Sequence, residues 1–208
     1  MRQFPYIRGL AAVLLIAAAN HADAQRSYPN PYNAEAPGIV RVIIETDRGN
    51  ISVALDSAHA PRSVANFLRY VDGGFYTNGR FHRTVTPANQ PRDTVRIDVI
   101  QGGANPERQG QGFPPVELER TSATGLRHHD GTLSMARAGP NSATSDFFIC
   151  VGDQPALDFG GHRNLDGQGF AAFGRVTDGM TVVRAIQGAP STGQQLTPPV
   201  TIRRIRRQ

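Results

Sequence analysis

Two apolar runs rich in β-branched residues, Ile39–Glu45 and Ile51–Leu55, flank the polar stretch Thr46–Asn50. Two β-branched runs around a Gly-containing turn predict a hairpin. The period then changes. Val64, Phe67, Leu68 and Val71 fall at i, i+3, i+4 and i+7 and so share one face of a helix. Pro61 suits its first turn, and Gly73-Gly74 stops it. Beyond it the chain reads mostly as short strands: Arg80–Val85, Val95–Gln101, Gly131–Ala136, Phe147–Val151 and Ala171–Val176. A second helix over about 179–187 carries Met180, Val183 and Ile186 on one face, and Gly188 and Pro190 end it. The stretch 189–199 reads as a loop before a last strand, Val200–Arg207. Many short strands between Gly and Pro turns argue for a barrel, and the two helices suit its ends. No internal repeat is visible.

The first 24 residues follow another pattern. Arg2 and Arg8 are basic, the run 9–19 is apolar, and Ala22-Asp23-Ala24 forms a small-residue cleavage site. This predicts an export signal removed before Gln25. The apolar run is too short for a membrane anchor, which needs ~20 residues, so no stable membrane insertion is expected after cleavage. Residues 25–38 are rich in Pro, Asn and Ser without an apolar period, and predict a flexible lead-in to a single domain over 39–208. The expected location is the periplasm or the medium.

The formal net charge is +5, and all 22 basic residues are Arg. They are spread along the chain rather than striped with aromatics, so nucleic acid is not the expected partner. The carboxyl-terminal "RRIRRQ" reads as a strand whose Ile202 and Ile205 pack while its Arg side chains meet solvent. Cys150 is the only cysteine. It excludes an internal disulfide, and its apolar setting "DFFICV" predicts a buried, inert thiol.

Two possible chemistries are weak. In "RHHD" (127–130) adjacent His side chains point apart, and no further ligand has metal-site spacing. Ser134 is in no G-x-S-x-G elbow, and spacing argues no Ser-His-Asp arrangement. More informative is the order "RFHR…VIQGG", over 80–83 and 99–103. An arginine and a glutamine brought together across a sheet make a hydrogen-bonded pair with a fixed guanidinium, suited to gripping a carbonyl.

The segments "GGFYTNGRFHR", "IQGG", "GTLSMARAGPNSATSDFFICV", "ALD" and "GFAAFGRVTDGMTVV", in this order, resemble the cyclophilins, peptidyl-prolyl cis-trans isomerases, of the bacterial exported type. The resemblance spans about 39–205. It implies a mainly β, closed eight-stranded antiparallel barrel capped by two helices, with a groove on its outer face. It implies Arg83 as the catalytic arginine and Gln101 as its orienting partner. Substrate would meet His82 on the neighbouring wall and an apolar pocket of Val99, Phe148, Leu157 and Phe170. Phe148 would floor the pocket while Phe147 enters the core. Ala136, Arg137 and Ala138 match the strand whose backbone pairs with residues before the proline. No metal or cofactor is implied. The implied partners are proline-containing peptides and unfolded exported proteins, met by a monomer.

The sequence departs from that pattern in places. Asp98 stands where the family usually has Phe; by parity Ile97, Val99 and Gln101 share a face, so Ile97 is positioned to supply the apolar surface. Asp146 replaces a common Gln. Its carboxylate pairs with Arg83 and holds it, competes with a substrate carbonyl, or stands solvated at the rim. Ala156 replaces the Trp associated with cyclosporin affinity, which implies weak cyclosporin binding. Phe170 replaces a His common in animal members. The two aspartates motivate a second reading, a proline-peptide-binding chaperone with little catalysis; Arg83, Gln101 and Phe148 argue for the enzyme.

Overall fold

The computed structural model describes Met1 and residues 37–91 and 93–208. Apart from Met1, the expected signal at 1–24 lies outside the described residues, as does the lead-in at 25–38 apart from Pro37 and Gly38. Among the described residues no helix is long and apolar enough to cross a membrane.

Strands β1 (Ile39–Thr46) and β2 (Gly49–Asp56) form the expected hairpin, and α1 (Pro61–Asp72) follows. Next come β3 (Gly79–Val85), β4 (Val99–Gly103), the one-turn helix α2 (Thr121–Thr124), β5 (Thr132–Met135) and β6 (Phe147–Cys150). The chain ends with β7 (Ala172–Asp178), α3 (Met180–Gln187), β8 (Ser191–Thr192) and β9 (Gln195–Arg207). The sheet order is β1-β2-β7-β5-β6-β4-β3-β9, and β9 pairs back to β1. Eight antiparallel strands therefore close into a barrel, as the resemblance implied, with the two-residue β8 appended to β9. Closure removes the unpaired edges that an open sheet would expose.

The barrel core is built from the inward side of each strand. Val42 and Ile44 of β1, Phe81 of β3, Ile100 of β4, and Phe147 and Ile149 of β6 are all buried there. Helix α1 buries the predicted stripe of Val64, Phe67, Leu68 and Val71. Its Phe67 ring meets Phe147 edge-on at 5.5 Å. Helix α3 buries Val183 and Ile186 and packs by Val182 against Gly49 at the start of β2, whereas α1 follows the end of β2. The two helices thus occupy opposite ends of the barrel. Each fully buried large apolar side chain contributes roughly 1.5–3 kcal/mol to this core.

Two segments beside the site differ in extent from expectation, besides the end of β5 described below. Strand β4 begins at Val99, not Val95. The buried Gln90 side chain accepts from Ile97 N–H at 3.3 Å and donates to Ile97 C=O at 2.6 Å. Asp98 N–H donates to the Gln154 side chain at 3.1 Å. These side chains satisfy the Ile97 backbone and the Asp98 N–H, so this stretch stays out of the ladder. The stretch 189–199, expected as loop, is instead the β8–β9 hairpin. Its turn begins at Gly193 with φ +60°, the left-handed conformation glycine adopts without strain.

The carboxyl-terminal arginines do more than meet solvent. Arg204 and Arg206 both pair with Glu45, at 2.8 and 2.7 Å, and hold its carboxyl down to about 2. Arg203 pairs with Asp47 and Arg207 with Asp72. Ile202 and Ile205 are buried, as expected.

Candidate active site

Strict alternation along β3 would put Phe81 and Arg83 on the same face. The structure puts them on opposite faces. Phe81 pairs with Gly102 and Arg83 with Gln101, so His82 is an extra residue without a partner on β4. This β-bulge re-aims the strand. Phe81 enters the core, with Gly102 opposite; a Cβ on Gly102 would lie 2.8 Å from the Phe81 ring. Arg83 turns outward beside Gln101.

The neighbouring strands extend this outer face. Gln101 pairs with Phe148, and Val99 with Cys150. Val85, Ile97, Val99, Phe148, Cys150, Leu157 and Phe170 make a second apolar cluster, separate from the barrel core. Phe147 is in the core and Phe148 in this cluster, as alternation along one strand requires. Burial in the cluster raises the Cys150 thiol well above its ordinary pKa, which matches an inert thiol.

A groove of about 440 Å³ opens over the cluster, within the ~300–1,000 Å³ of small-ligand sites. Its floor is Val99, Phe148, Leu157 and Phe170, with Ile97 beside them. Phe148 and Phe170 meet edge-on at 5.3 Å. Arg83 and Gln101 stand at the groove, and Ala136, Arg137 and Ala138 run along it. The structure thus brings together every expected site residue except His82, which lies at the margin with its Nε2 3.7 Å from Asp146.

Arg83 is held on two sides. Its Nη1 donates to Gln101 Oε1 at 3.0 Å. Its Nε and Nη2 donate to Gln194 Oε1 at 2.9 and 2.6 Å. Burial lowers its pKa, the charge of nearby Arg163 adds to that, and Asp93 opposes it. Arg163 is itself paired with Asp93 at 2.9 Å. The result is a fixed cation beside an apolar pocket, able to hydrogen-bond a carbonyl whose neighbouring ring sits on Phe148.

The two aspartates have separate surroundings. Asp98 is bound by the Gln187 side chain and does not line the groove; burial raises its carboxyl, against that hydrogen bond. Asp146 does line the groove but does not pair with Arg83. Its Oδ2 accepts from Gln101 Nε2 at 3.3 Å. A carboxylate only accepts, so it turns the Gln101 nitrogen toward itself and the Gln101 oxygen toward Arg83. Gly103 makes room for it: a Cβ there would lie 2.1 Å from Asp146 Oδ1.

Residues 136–138 are not strand, since β5 ends at Met135. One ladder-like bond continues, from Ala136 N–H to Asp146 C=O at 2.9 Å. Ala138 N–H instead donates to Ser142 Oγ at 3.1 Å, which draws the chain into a turn. The Arg137 side chain is only 1 % exposed and pairs with Asp166 at 2.7 Å. It also donates to Gly169 C=O and lies 5.0 Å over the Phe170 ring. It buttresses the pocket wall from behind.

Sequence reasoning missed two arrangements. One is Gln194; the usable signal was Gly193-Gln194 read as a two-residue hairpin turn. The other lies beneath Phe148. His128 Nδ1 is 2.8 Å from Asp158 Oδ1, and its Nε2 is 2.9 Å from Ser134 Oγ. The His128 ring stacks on Phe148 at 5.9 Å. This is a Ser-His-Asp chain that spacing did not reveal, but Ser134 is fully buried, so no substrate reaches its hydroxyl. It is a support for the pocket floor. His129 turns the other way, its Nδ1 3.3 Å from the exposed Asp153.

The fold is that of solved cyclophilin-type structures. A Cryptosporidium parvum cyclophilin type peptidyl-prolyl cis-trans isomerase superposes with a TM-score of 0.63 at 25% identity, covering 81% of this chain and 98% of that one; its structure was determined in the presence of the dipeptide Ala-Pro. The family model for cyclophilin type peptidyl-prolyl cis-trans isomerase/CLD matches residues 41–207. Peptidyl-prolyl cis-trans isomerase A of Dickeya dadantii is 41% identical over 148 residues, 70% of each chain. Peptidyl-prolyl cis-trans isomerase B of Escherichia coli is 37% identical over 154 residues, 74% of this chain and 87% of its own. This chain belongs to the cyclophilin-type peptidyl-prolyl cis-trans isomerase family, and it is an isomerase enzyme.

Proposed function

We propose that this isomerase rotates X–Pro bonds in newly exported proteins, with Arg83 as the catalytic residue and Gln101 as its orienting partner. Amide resonance sets the barrier to rotation, and unaided X–Pro exchange takes tens to hundreds of seconds. A twisted bond has lost that resonance, and its nitrogen lone pair is localised. A fixed cation and donor next to the proline stabilises the twisted state more than either planar one, which is differential binding of the transition state. Of the five Arg83 N–H groups, the two glutamines take three. One hydrogen on each terminal nitrogen is left for substrate. The observation that carries the reading is the presence of this held guanidinium and the Phe148 floor in one groove.

The partners are proline-containing segments of unfolded exported proteins, met by a monomer in the periplasm or the medium. Arg2, Arg8, the apolar run and Ala22-Asp23-Ala24 support export. The test of activity is exchange NMR on a short Ala-Pro peptide with the full chain and its Arg83→Ala variant. Fast turnover that collapses in the variant supports the catalyst. No acceleration by the intact chain sinks it and leaves a peptide binder. Cell fractionation tests export: the protein should leave the cytoplasm shortened by residues 1–24.

A further inference from the structure

The Gly193-Gln194 turn does not line the groove, yet its glutamine makes two of the three hydrogen bonds that hold Arg83. Gln194 Oε1 bridges Nε and Nη2, which form one edge of the guanidinium. Gln101 holds the Nη1 corner. An arginine held at one corner can pivot about that contact. A second acceptor at Nε, close to the side-chain stem, fixes the plane. Both acceptors are neutral amides, so they orient the cation without cancelling its charge.

The turn is itself fastened. Thr84 N–H donates to Gln194 C=O at 2.9 Å. Asn89 Nδ2 donates to Gly193 C=O at 3.2 Å and to Thr84 C=O at 3.0 Å. Gln194 Nε2 reaches Asn89 C=O at 3.4 Å. Asn89 ends the short 3₁₀ turn Pro87–Asn89, at the head of the polar segment between β3 and β4.

We infer that Gln194 is a positioning residue for isomerisation, clamping Arg83 from the edge opposite Gln101, and that the segment after β3 serves catalysis by anchoring this clamp through Asn89. The inference rests on the isomerase reading of the groove. Gln194 sits on a surface turn, so its loss should leave the barrel intact.

The experiment compares the full chain with Gln194→Ala, Gln194→Glu and Asn89→Ala. It measures kcat and KM on an Ala-Pro peptide, thermal melting, and hydrogen exchange at the Arg83 Nε–H, assigned by its loss in Arg83→Lys. Gln194→Ala should lower kcat about 10- to 100-fold, with little change in KM or melting temperature, and should speed Nε–H exchange. Gln194→Glu keeps an acceptor and should retain Nε–H protection. Asn89→Ala should act in the same direction as Gln194→Ala but more weakly, since Thr84 still holds the turn. An unchanged kcat in Gln194→Ala overturns the inference. So does a loss of activity that tracks a lower melting temperature while Nε–H exchange stays slow. If the intact chain itself gives no acceleration, the isomerase reading fails, and Nε–H exchange alone then supports or overturns the clamp.

Discussion

The side-chain oxygen of Gln101 lies 3.0 Å from Nη1 of Arg83, directly across the ladder from it. The contact exists because His82 bulges out of β3 and rolls Arg83 onto the outer face. It has the right polarity because Asp146 takes the Gln101 nitrogen. A groove carboxylate that looks like an obstacle in the sequence is thereby part of the support for the cation.

Gln101→Leu keeps the approximate volume and removes the oxygen. Turnover should fall about 10-fold or more as Arg83 loses an anchor, with substrate affinity less affected. Asp146→Ala should cost less, because Gln101 can still turn its oxygen to Arg83. Steady-state kcat and KM for the two variants check the order; equal losses would contradict it.

Arg83→Lys keeps the charge and loses the fork. An ammonium cannot satisfy Gln101 and Gln194 from a rigid plane and still present donors to substrate. Turnover should drop about 100-fold or more while the thermal melt stays close to that of the unmodified chain. Near-normal turnover would mean that charge alone suffices.

Phe148→Ala removes the floor of the pocket, its stacking on His128 and its edge contact with Phe170. Stability should fall by about 3 kcal/mol or more in urea unfolding, and KM should rise. A raised KM without loss of stability would show that the pocket refills by collapse.

His128 makes stability depend on pH. Burial lowers its pKa from the ordinary 6.5, and Asp158 only partly opposes this. Burial alone would raise the Asp158 carboxyl, but the His128 and Arg127 contacts bring it below its ordinary value. The folded chain therefore binds fewer protons than the unfolded chain at both groups. Stability is fully present above about pH 6.5 and is lost as pH falls toward the lowered His128 pKa, then further below about pH 4 as Asp158 protonates. Thermal melts from about pH 7 to about pH 5 should show this decline. His128→Gln should flatten it; an equally steep decline in that variant would place its origin elsewhere.

Much of the fold is legible locally. The helical stripe from Val64 to Val71 is an amphipathic repeat within a single segment. The β1–β2 hairpin is likewise contained in 18 consecutive residues. Motif order across the rest made Arg83, Gln101 and Phe148 legible as candidates, and all three line one groove.

What was not legible depends on two distant segments at once. The β4 start is set in part by Gln154, which takes the Asp98 N–H from 56 residues away. Gln194 reaches Arg83 across 111 residues of sequence. Asp158 meets His128 thirty residues upstream. The sequence by itself determined both main helices and most of the strands, because side-chain periodicity is a property of each segment, and the order of its motifs carried the resemblance that named the groove residues. Only the tertiary structure decided which face Arg83 takes and what holds it. A bulge is a mismatch between two paired strands, and neither strand carries it alone.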